Sequence, residues 1–269
     1  MLQYPGFNPI ALEIGPVKGH WDGIRYLIGF AGAWWLARVR AARPGSTWKP
    51  ADVDDLIFYD MLGVIAGGRI GYVLFYGMGF WAKDILYPFK IYEGGMSFHG
   101  GLLGVITAMS IYAWRTRRSI GDVYDFTAPL PALGLFFGRI GNFINGELWG
   151  KATTVPWGFN YNGVVRHPSQ LYEACLEGIL LFTVVWLFSS RPRPRWAVSG
   201  LFLMVYGASR FLLEFWRVPD DQLGYLWHTG WVTMGQVLSL PMILVGLAFM
   251  VYGYRTRIPS GNLAVAQPQ

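Results

Sequence analysis

Seven long apolar stretches, at about 22–38, 53–79, 96–114, 122–141, 170–189, 198–216 and 231–254, constrain this chain more than any other feature of its sequence. Segments of about 17–25 predominantly apolar residues are long enough to cross the hydrocarbon core of a bilayer as helices. Only helices or closed barrels satisfy every backbone N–H and C=O in that medium. The spacing therefore predicts an all-α, polytopic membrane protein with about seven transmembrane helices. Composition agrees, with 53% of residues hydrophobic and 14% charged, against about 25% charged in an ordinary soluble domain.

A net charge of +6 raises nucleic acid as a partner. The basic residues, however, stand in short clusters between apolar stretches, without the stripe that a nucleic-acid surface needs. No nucleic-acid partner is expected, and the clusters report topology instead. Arg38, Arg40, Arg43, Lys49, Arg115, Arg117, Arg118, Arg191, Arg193, Arg195, Arg255 and Arg257 follow the odd-numbered stretches. Lys18, Lys83, Lys90, Lys151, Arg166 and Arg217 occupy the other side. The positive-inside rule then predicts a periplasmic N-terminus and a cytoplasmic C-terminus. The N-terminus lacks a basic region followed by an apolar core, so no cleavable signal peptide is expected. Cys175 is the only cysteine, which excludes a disulfide within the chain.

Four arginines remain, Arg25, Arg69, Arg139 and Arg210, all inside predicted spans. At about 1.5 Å rise per residue, Arg69, Arg139 and Arg210 lie roughly 24, 25 and 18 Å beyond the inner edge. His99 opens the third stretch and lies at a similar height. Intramembrane ionisable residues are functional candidates by default. The pattern predicts a cationic, histidine-containing pocket opening toward the outer leaflet.

The densest polar motif is Gly-Arg-Ile-Gly-Asn-Phe-Ile-Asn-Gly-Glu-Leu-Trp-Gly at 138–150. It follows an apolar run and leads into a Gly-, Asn-, Trp- and Pro-rich segment, about 142–169, that is too polar to span. Its aromatics predict an ordered piece at the membrane interface. Gly-Arg-Ile-Gly also occurs at 68–71, a short internal echo. The domain expected is a single integral-membrane unit over 1–258, followed by a disordered tail at 259–269.

An arginine fork matches phosphate oxygens bidentately and stays charged when desolvated. Arginines at matching depth therefore either hold the head group of a phospholipid or pair with intramembrane acids such as Asp60, Glu147 or Glu214. His99 is either a packing residue or a proton acceptor, since neutral imidazole can take a proton from a thiol or hydroxyl. His167, beside Arg166 and before Pro168, is read as an orienting or loop-structuring residue. The four histidines, at 20, 99, 167 and 228, are too scattered for zinc. No metal and no cofactor are expected.

Taken together, these motifs resemble the signature of the bacterial phosphatidylglycerol-prolipoprotein diacylglyceryl transferase family. The similarity extends through Gly-Gly-Arg-Ile-Gly-Tyr at 67–72, Gly-Gly-Met-Ser-Phe-His-Gly-Gly at 94–101, Arg-His-Pro-Ser-Gln-Leu-Tyr-Glu at 166–173, Tyr-Gly-Ala-Ser-Arg at 206–210 and Met-Gly-Gln at 234–236. The resemblance implies a seven-helix enzyme of the bacterial inner membrane. It would move the diacylglyceryl group of phosphatidylglycerol onto the lipobox cysteine thiol of a preprolipoprotein, forming a thioether and releasing glycerol phosphate. Its partners would be phosphatidylglycerol, the lipobox of the preprolipoprotein signal peptide and the bilayer. The family's lipid-binding arginine matches Arg139, its second essential arginine Arg210 and its essential histidine His99. Asn142, Glu147 and Gly150 match further signature positions, and Tyr206 and Glu214 match polar positions near the second arginine. Arg69, Tyr72, Asn145 and His167 complete the candidate substrate-binding set.

One departure matters. Where the family usually reads His-Trp-Tyr-Gly, this chain reads His-Trp-Asp-Gly at 20–23, which puts Asp22 in place of a functionally important tyrosine. Asp22 either pairs with Arg25, three residues on and on the same helix face, or reaches Arg139 or Arg210 and competes with a lipid phosphate. The alternatives to an active transferase are thus an impaired homologue and, from another class, a secondary transporter for an anionic solute. Transporters also place broken, glycine-rich helices at their sites, but near the bilayer midplane.

Overall fold

The computed structural model describes the backbone at residues 2–7, 10–14, 17–91, 94–219 and 224–263, with side chains described except at 10–14, 17–23 and 26. Three short strands come first in the chain: β1 (Leu2–Gln3), β2 (Ile10–Ile14) and β3 (Val17–His20). Helices follow as α1 (Trp21–Ala41), α2 (Pro50–Tyr76), α3 (Met78–Trp81), α4 (Phe98–Thr116), α5 (Ile120–Thr127) and α6 (Pro131–Ile144). A hairpin of β4 (Phe159–Tyr161) and β5 (Val164–Arg166) precedes α7 (Ser169–Glu173), a π-helical segment Ala174–Leu180, and α8 (Leu181–Phe188). Helices α9 (Ala197–Leu213) and α10 (Met234–Thr256) complete the described elements.

The protein is mostly helical, and each of the seven apolar stretches is helical over most of its length. Among the described residues three helices, Pro50–Tyr76, Ser169–Phe188 and Met234–Thr256, are long and apolar enough to cross a membrane. The fourth stretch departs from the expected single span over 122–141. It is two helices, because Pro131 opens α6, where its missing N–H costs nothing and its fixed φ suits the first turn. The sixth helix ends at Leu213, three residues short of the expected 216.

The polar segment after α6 also departs from a purely helical chain. β4 pairs antiparallel with β5 and parallel with β1, a sheet of order β1-β4-β5. Asn162 and Gly163 both have positive φ, +52° and +82°. That is the geometry of a two-residue hairpin, which Asn-Gly adopts readily. At the other end of the chain, the expected tail is held at its start. Gly261 N–H donates to Asp122 Oδ1 at 2.9 Å, and Trp48 Nε1 donates to Asn262 Oδ1 at 2.7 Å. Residues 264–269 lie outside the described residues.

Two compact units can be distinguished, Met1–Ala37 with Asp125–Ser260 and Arg38–Tyr124 with Gly261–Gln269. In the second unit α2 lies against α4 through facing glycines. A methyl group on Gly104 would overlap the Gly63 carbonyl oxygen, and one on Gly67 would overlap the Gly100 carbonyl oxygen. The spacing Gly63, Gly67, Gly71 against Gly100, Gly104, Ala108 is the small-residue pattern that lets membrane helices approach.

The first unit uses the same device between α9 and α10. A Cβ on Gly200 would lie 2.7 Å from the Gly246 carbonyl oxygen, and the converse holds at 2.7 Å. The N-terminus of α9 is capped by buried Asp125. Its Oδ1 accepts from Ser199 N–H at 2.8 Å and Ser199 Oγ at 2.6 Å, and its Oδ2 from Trp196 N–H at 2.7 Å. A carboxylate there also meets the positive end of the helix dipole. Next to it an apolar core forms from Ala128, Ala132, Leu181, Val185 and Val198.

Gly104→Leu should separate α2 from α4 and lower stability by about 1–3 kcal/mol, the usual cost of overpacking. Thermal unfolding in detergent checks this against Leu103→Ala, one residue away on an exposed position, which should change little.

Candidate active site

The first unit gathers three buried glutamates, Glu173, Glu177 and Glu214, with the arginines that make their burial tolerable. α6 supplies Arg139, whose Nε lies 2.5 Å from Glu173 Oε2 and whose Nη2 lies 3.5 Å from Glu177 Oε2. α9 supplies Arg210, whose Nη2 is 2.7 Å from Oε1 of Glu214, one turn on, and whose Nη1 is 3.7 Å from both Glu173 and Glu177. Arg217, just past the end of α9, places Nη1 2.6 Å from Glu173 Oε1 and Nε 3.2 Å from Glu214 Oε1. Glu173 and Glu177 are four residues apart, at the end of α7 and inside the π-helical segment. That spacing and the wider π turn keep both carboxylates on the side where α6 and α9 pack.

Access to the cluster is asymmetric. The side chains of Glu173 and Glu177 are 1% and 0% exposed, whereas those of Arg139 and Arg210 retain 20% and 19%. The arginines are thus the more exposed members of the cluster. Tyr206 stands one turn before Arg210 on α9, stacked on Phe202 with ring centroids 6.0 Å apart, between the apolar core and the charges. On the other flank, Glu214 Oε2 accepts from Thr233 Oγ1 at 2.7 Å, and Thr233 caps α10 in a reciprocal box with Gln236. Gly235 lies so close to the Glu214 carboxyl that a Cβ would sit 2.5 Å from it, which gives Met-Gly-Gln a packing reason.

The rest of the 138–150 motif shapes the exit from α6. Glu147 gathers both asparagines, with Asn142 Nδ2 donating to Oε2 at 3.0 Å and Asn145 Nδ2 to Oε1 at 3.5 Å. Ser169 Oγ donates to the Leu148 carbonyl at 2.8 Å, and Gln170 Nε2 donates to the Glu147 carbonyl, tying the turn to α7. Gly150 is required by close approach, since a Cβ would lie 2.6 Å from the Trp216 carbonyl oxygen. Its N–H donates to the His167 carbonyl and the N–H of Lys151 to the Trp216 carbonyl, each at 2.9 Å. This stitching fixes the backbone that carries Arg217. His167 Nδ1 is 3.1 Å from the Tyr172 hydroxyl, which also accepts from Trp157 Nε1 at 2.7 Å. Burial holds the His167 imidazole below its ordinary pKa, so it is neutral at neutral pH.

The second unit, described by itself, contains Arg69, Tyr72 and His99. His99 is exposed in the first turn of α4, two residues after the cap Ser97, whose hydroxyl accepts from Gly100 N–H at 3.2 Å. Arg69 is buried among backbone carbonyls with Tyr72 and Tyr87 rings beside it. The side chain of Asp22 lies outside the described residues, while Arg25 Nη1 reaches the Gly138 carbonyl at 3.4 Å.

Of the two sequence alternatives for the arginines, pairing with intramembrane acids is what the geometry shows: Arg210 pairs with Glu214, and both Arg139 and Arg210 lie against Glu173 and Glu177. Sequence reasoning missed Glu173, Glu177 and Arg217 as members of the cluster. The available signal was a pair of carboxylates at four-residue spacing within an otherwise apolar stretch, an arrangement too costly to be incidental.

Glu173→Gln should leave three arginines short of a carboxylate and cost about 3–5 kcal/mol, the penalty for removing one member of a buried ion pair. Thermal unfolding in detergent reads this loss. His167 has a folded pKa below its unfolded one, so its neutral form stabilises the fold above about pH 6.5 and that contribution is lost as the pH falls through the folded pKa. His167→Gln should flatten this acid limb of a stability profile.

Residues 9–252 match the family described as prolipoprotein diacylglyceryl transferase. The phosphatidylglycerol–prolipoprotein diacylglyceryl transferase of Oleidesulfovibrio alaskensis is 55% identical over 258 residues, covering 95% of this chain and 96% of that one. The protein of the same name from Nitratidesulfovibrio vulgaris strain DP4 is 56% identical over 92% of this chain and 95% of its own. That from Coxiella burnetii strain RSA 331 is 55% identical over 95% of this chain and 98% of its own. A family match over most of the sequence, together with these identities, leads to a plain conclusion: this chain belongs to the prolipoprotein diacylglyceryl transferase family.

Proposed function

We propose that this protein transfers the diacylglyceryl group of phosphatidylglycerol to the lipobox cysteine thiol of a preprolipoprotein. The observation that carries this reading is the convergence of Arg139 and Arg210 on one buried carboxylate pair, with the guanidinium side left accessible. The phosphate of the lipid binds there. As the cysteine sulfur attacks the glyceryl carbon, an S–C bond forms, the C–O bond to phosphate breaks and its electron pair stays on the departing glycerol phosphate. Arg139 and Arg210 meet the charge that develops on that oxygen from positions already fixed by Glu173, Glu177 and Glu214, which is electrostatic preorganisation. His99 takes the thiol proton, because the thiolate is the competent nucleophile. Asn142, Asn145, Glu147, Gly150, Tyr206 and His167 shape the walls of the lipid site.

The chain does this as a seven-span protein of the bacterial inner membrane, N-terminus periplasmic and C-terminus cytoplasmic, with the site open to the outer leaflet. Supporting this are the asymmetric basic clusters and the depth of the arginines in their spans. Residues 1–258 form the membrane domain, with the periplasmic loop region at 142–169.

The test is transfer of labelled diacylglyceryl from phosphatidylglycerol to a lipobox peptide by the purified full chain, beside Arg139→Ala and Asp22→Tyr. The parent should be active and Arg139→Ala should lose about 10²–10³-fold in kcat, as when a preorganised donor is removed. A silent parent with active Asp22→Tyr would make this chain an impaired homologue. Silence from a well-folded Asp22→Tyr protein that still binds the lipid would sink the enzymatic reading and favour anion transport.

A further inference from the structure

Arg69 has the sequence position of a lipid-binding arginine, but its surroundings assign it other work. Its side chain extends from α2 into the connection between α2 and α4, and the residue is only 3% exposed. Its Nε donates to the Pro88 carbonyl at 3.1 Å and its Nη2 to the Tyr87 carbonyl at 2.6 Å. Its Nη1 donates to the Gly94 carbonyl and to the Gly95 carbonyl, the latter at 3.3 Å. The guanidinium carbon also lies 4.8 Å from the Tyr87 ring centroid and 5.7 Å from that of Tyr72. All three nitrogens are thus engaged by the protein's own backbone, and a phosphate oxygen has no approach to them.

What this grip holds is the stretch that leads to His99. Gly94 and Gly95 both have positive φ, +79° and +87°, conformations that side-chain-bearing residues rarely adopt. Gly95 lies against the Tyr72 ring so closely that a Cβ would overlap it. Two residues later Ser97 N–H donates to the Gly68 carbonyl at 2.9 Å, and the Ser97 hydroxyl caps α4. The chain is therefore fastened to α2 at Gly68, Arg69 and, by contact, Tyr72, immediately before the helical turn that carries His99. An exposed histidine at the first turn of a helix has little packing of its own to fix it. The direction in which it points is set by where that turn begins.

We propose that Arg69 is a positioning residue for His99: a guanidinium clamp on four backbone carbonyls that sets the start of α4, with Tyr72 and Gly95 as its backing, rather than a contact to the lipid phosphate. The proposal rests on the reading of His99 as the proton acceptor. It explains why the Gly-Arg-Ile-Gly tetrapeptide occurs twice without a shared task, one copy gripping carbonyls and the other carboxylates. It also explains why an arginine is needed at 69, since a lysine ammonium cannot span four acceptors in a fixed fork.

The test compares the purified full chain with Arg69→Lys, Arg69→Gln and Gly95→Ala in mixed micelles of detergent and phosphatidylglycerol. Transfer kinetics are measured against lipid concentration, and carbethoxylation of His99 by diethylpyrocarbonate is followed by peptide mapping. Expected are a fall in kcat of about 10–100-fold, a partial loss of the roughly 10²–10⁴-fold that general acid–base catalysis contributes, and a KM for phosphatidylglycerol within about twofold of the parent. The modification rate at His99 should change in all three variants while that at His228 does not. Gly95→Ala leaves the arginine charge intact, so agreement between it and Arg69→Gln separates loop position from lost charge. A raised KM with unchanged kcat in the Arg69 variants, or an unaltered His99 modification rate in folded variants, would overturn the clamp. Because the modification readout does not need turnover, a silent parent would count against the transferase reading alone.

Discussion

Burying a carboxylate in an apolar medium costs several kcal/mol unless a cation and hydrogen bonds accompany it. Glu177 is fully buried and Glu173 only 1% exposed, and the arrangement around them follows from that fact. Arg139 must come from α6, Arg210 from α9 and Arg217 from the backbone just beyond it, so three separate parts of the chain are required to meet. The same ion pairs that tie helices together hold the guanidinium groups still. What remains accessible is part of Arg139 and Arg210, at 20% and 19% of their side chains.

Such a cluster needs close helices, and in a membrane the hydrophobic effect does not press them together. Small residues do that work by letting backbones touch, as at Gly63, Gly67, Gly100 and Gly104 in one unit and Gly200 and Gly246 in the other. Glycine also answers a different demand at 150, where the chain passes under the Trp216 carbonyl and is stitched to it. The turn after α6 is stabilised in turn by Glu147 and its two asparagines and by Tyr4, whose hydroxyl donates to the carbonyls of Phe143 and Ile144 at the end of that helix. The charge cluster's Arg139 and the scaffolding of the turn are thus interleaved in a single run of sequence.

Family membership and geometry support each other here without being interchangeable. Identity of 55% over 95% of the chain places it in the family. Fixed, partly accessible guanidinium groups backed by carboxylates, in a medium where charges interact strongly, are what underlie the proposed binding of an anionic head group.

How much of this was legible beforehand depends on the range of the forces concerned. Apolar runs mark a membrane protein because hydrocarbon thickness fixes segment length, a property of each stretch by itself. Arg139, Arg210, His99 and the 138–150 motif were visible because polar residues are conspicuous against such a background. The break at Pro131 was also open to a closer reading, since proline acts on its own helix turn. Partnership was not legible. Arg69 and Arg139 sit in the same tetrapeptide, yet one grips carbonyls and the other Glu173 and Glu177. The partners of Glu173, Glu177 and Arg217 were decided only once α6, the π-helical segment and α9 were brought together. The sequence by itself determined which segments are apolar, where charge is an exception and which local turns are possible. Only the tertiary structure decided which charges meet, because ion pairing depends on distances between residues far apart in the chain, and those are set by helix packing.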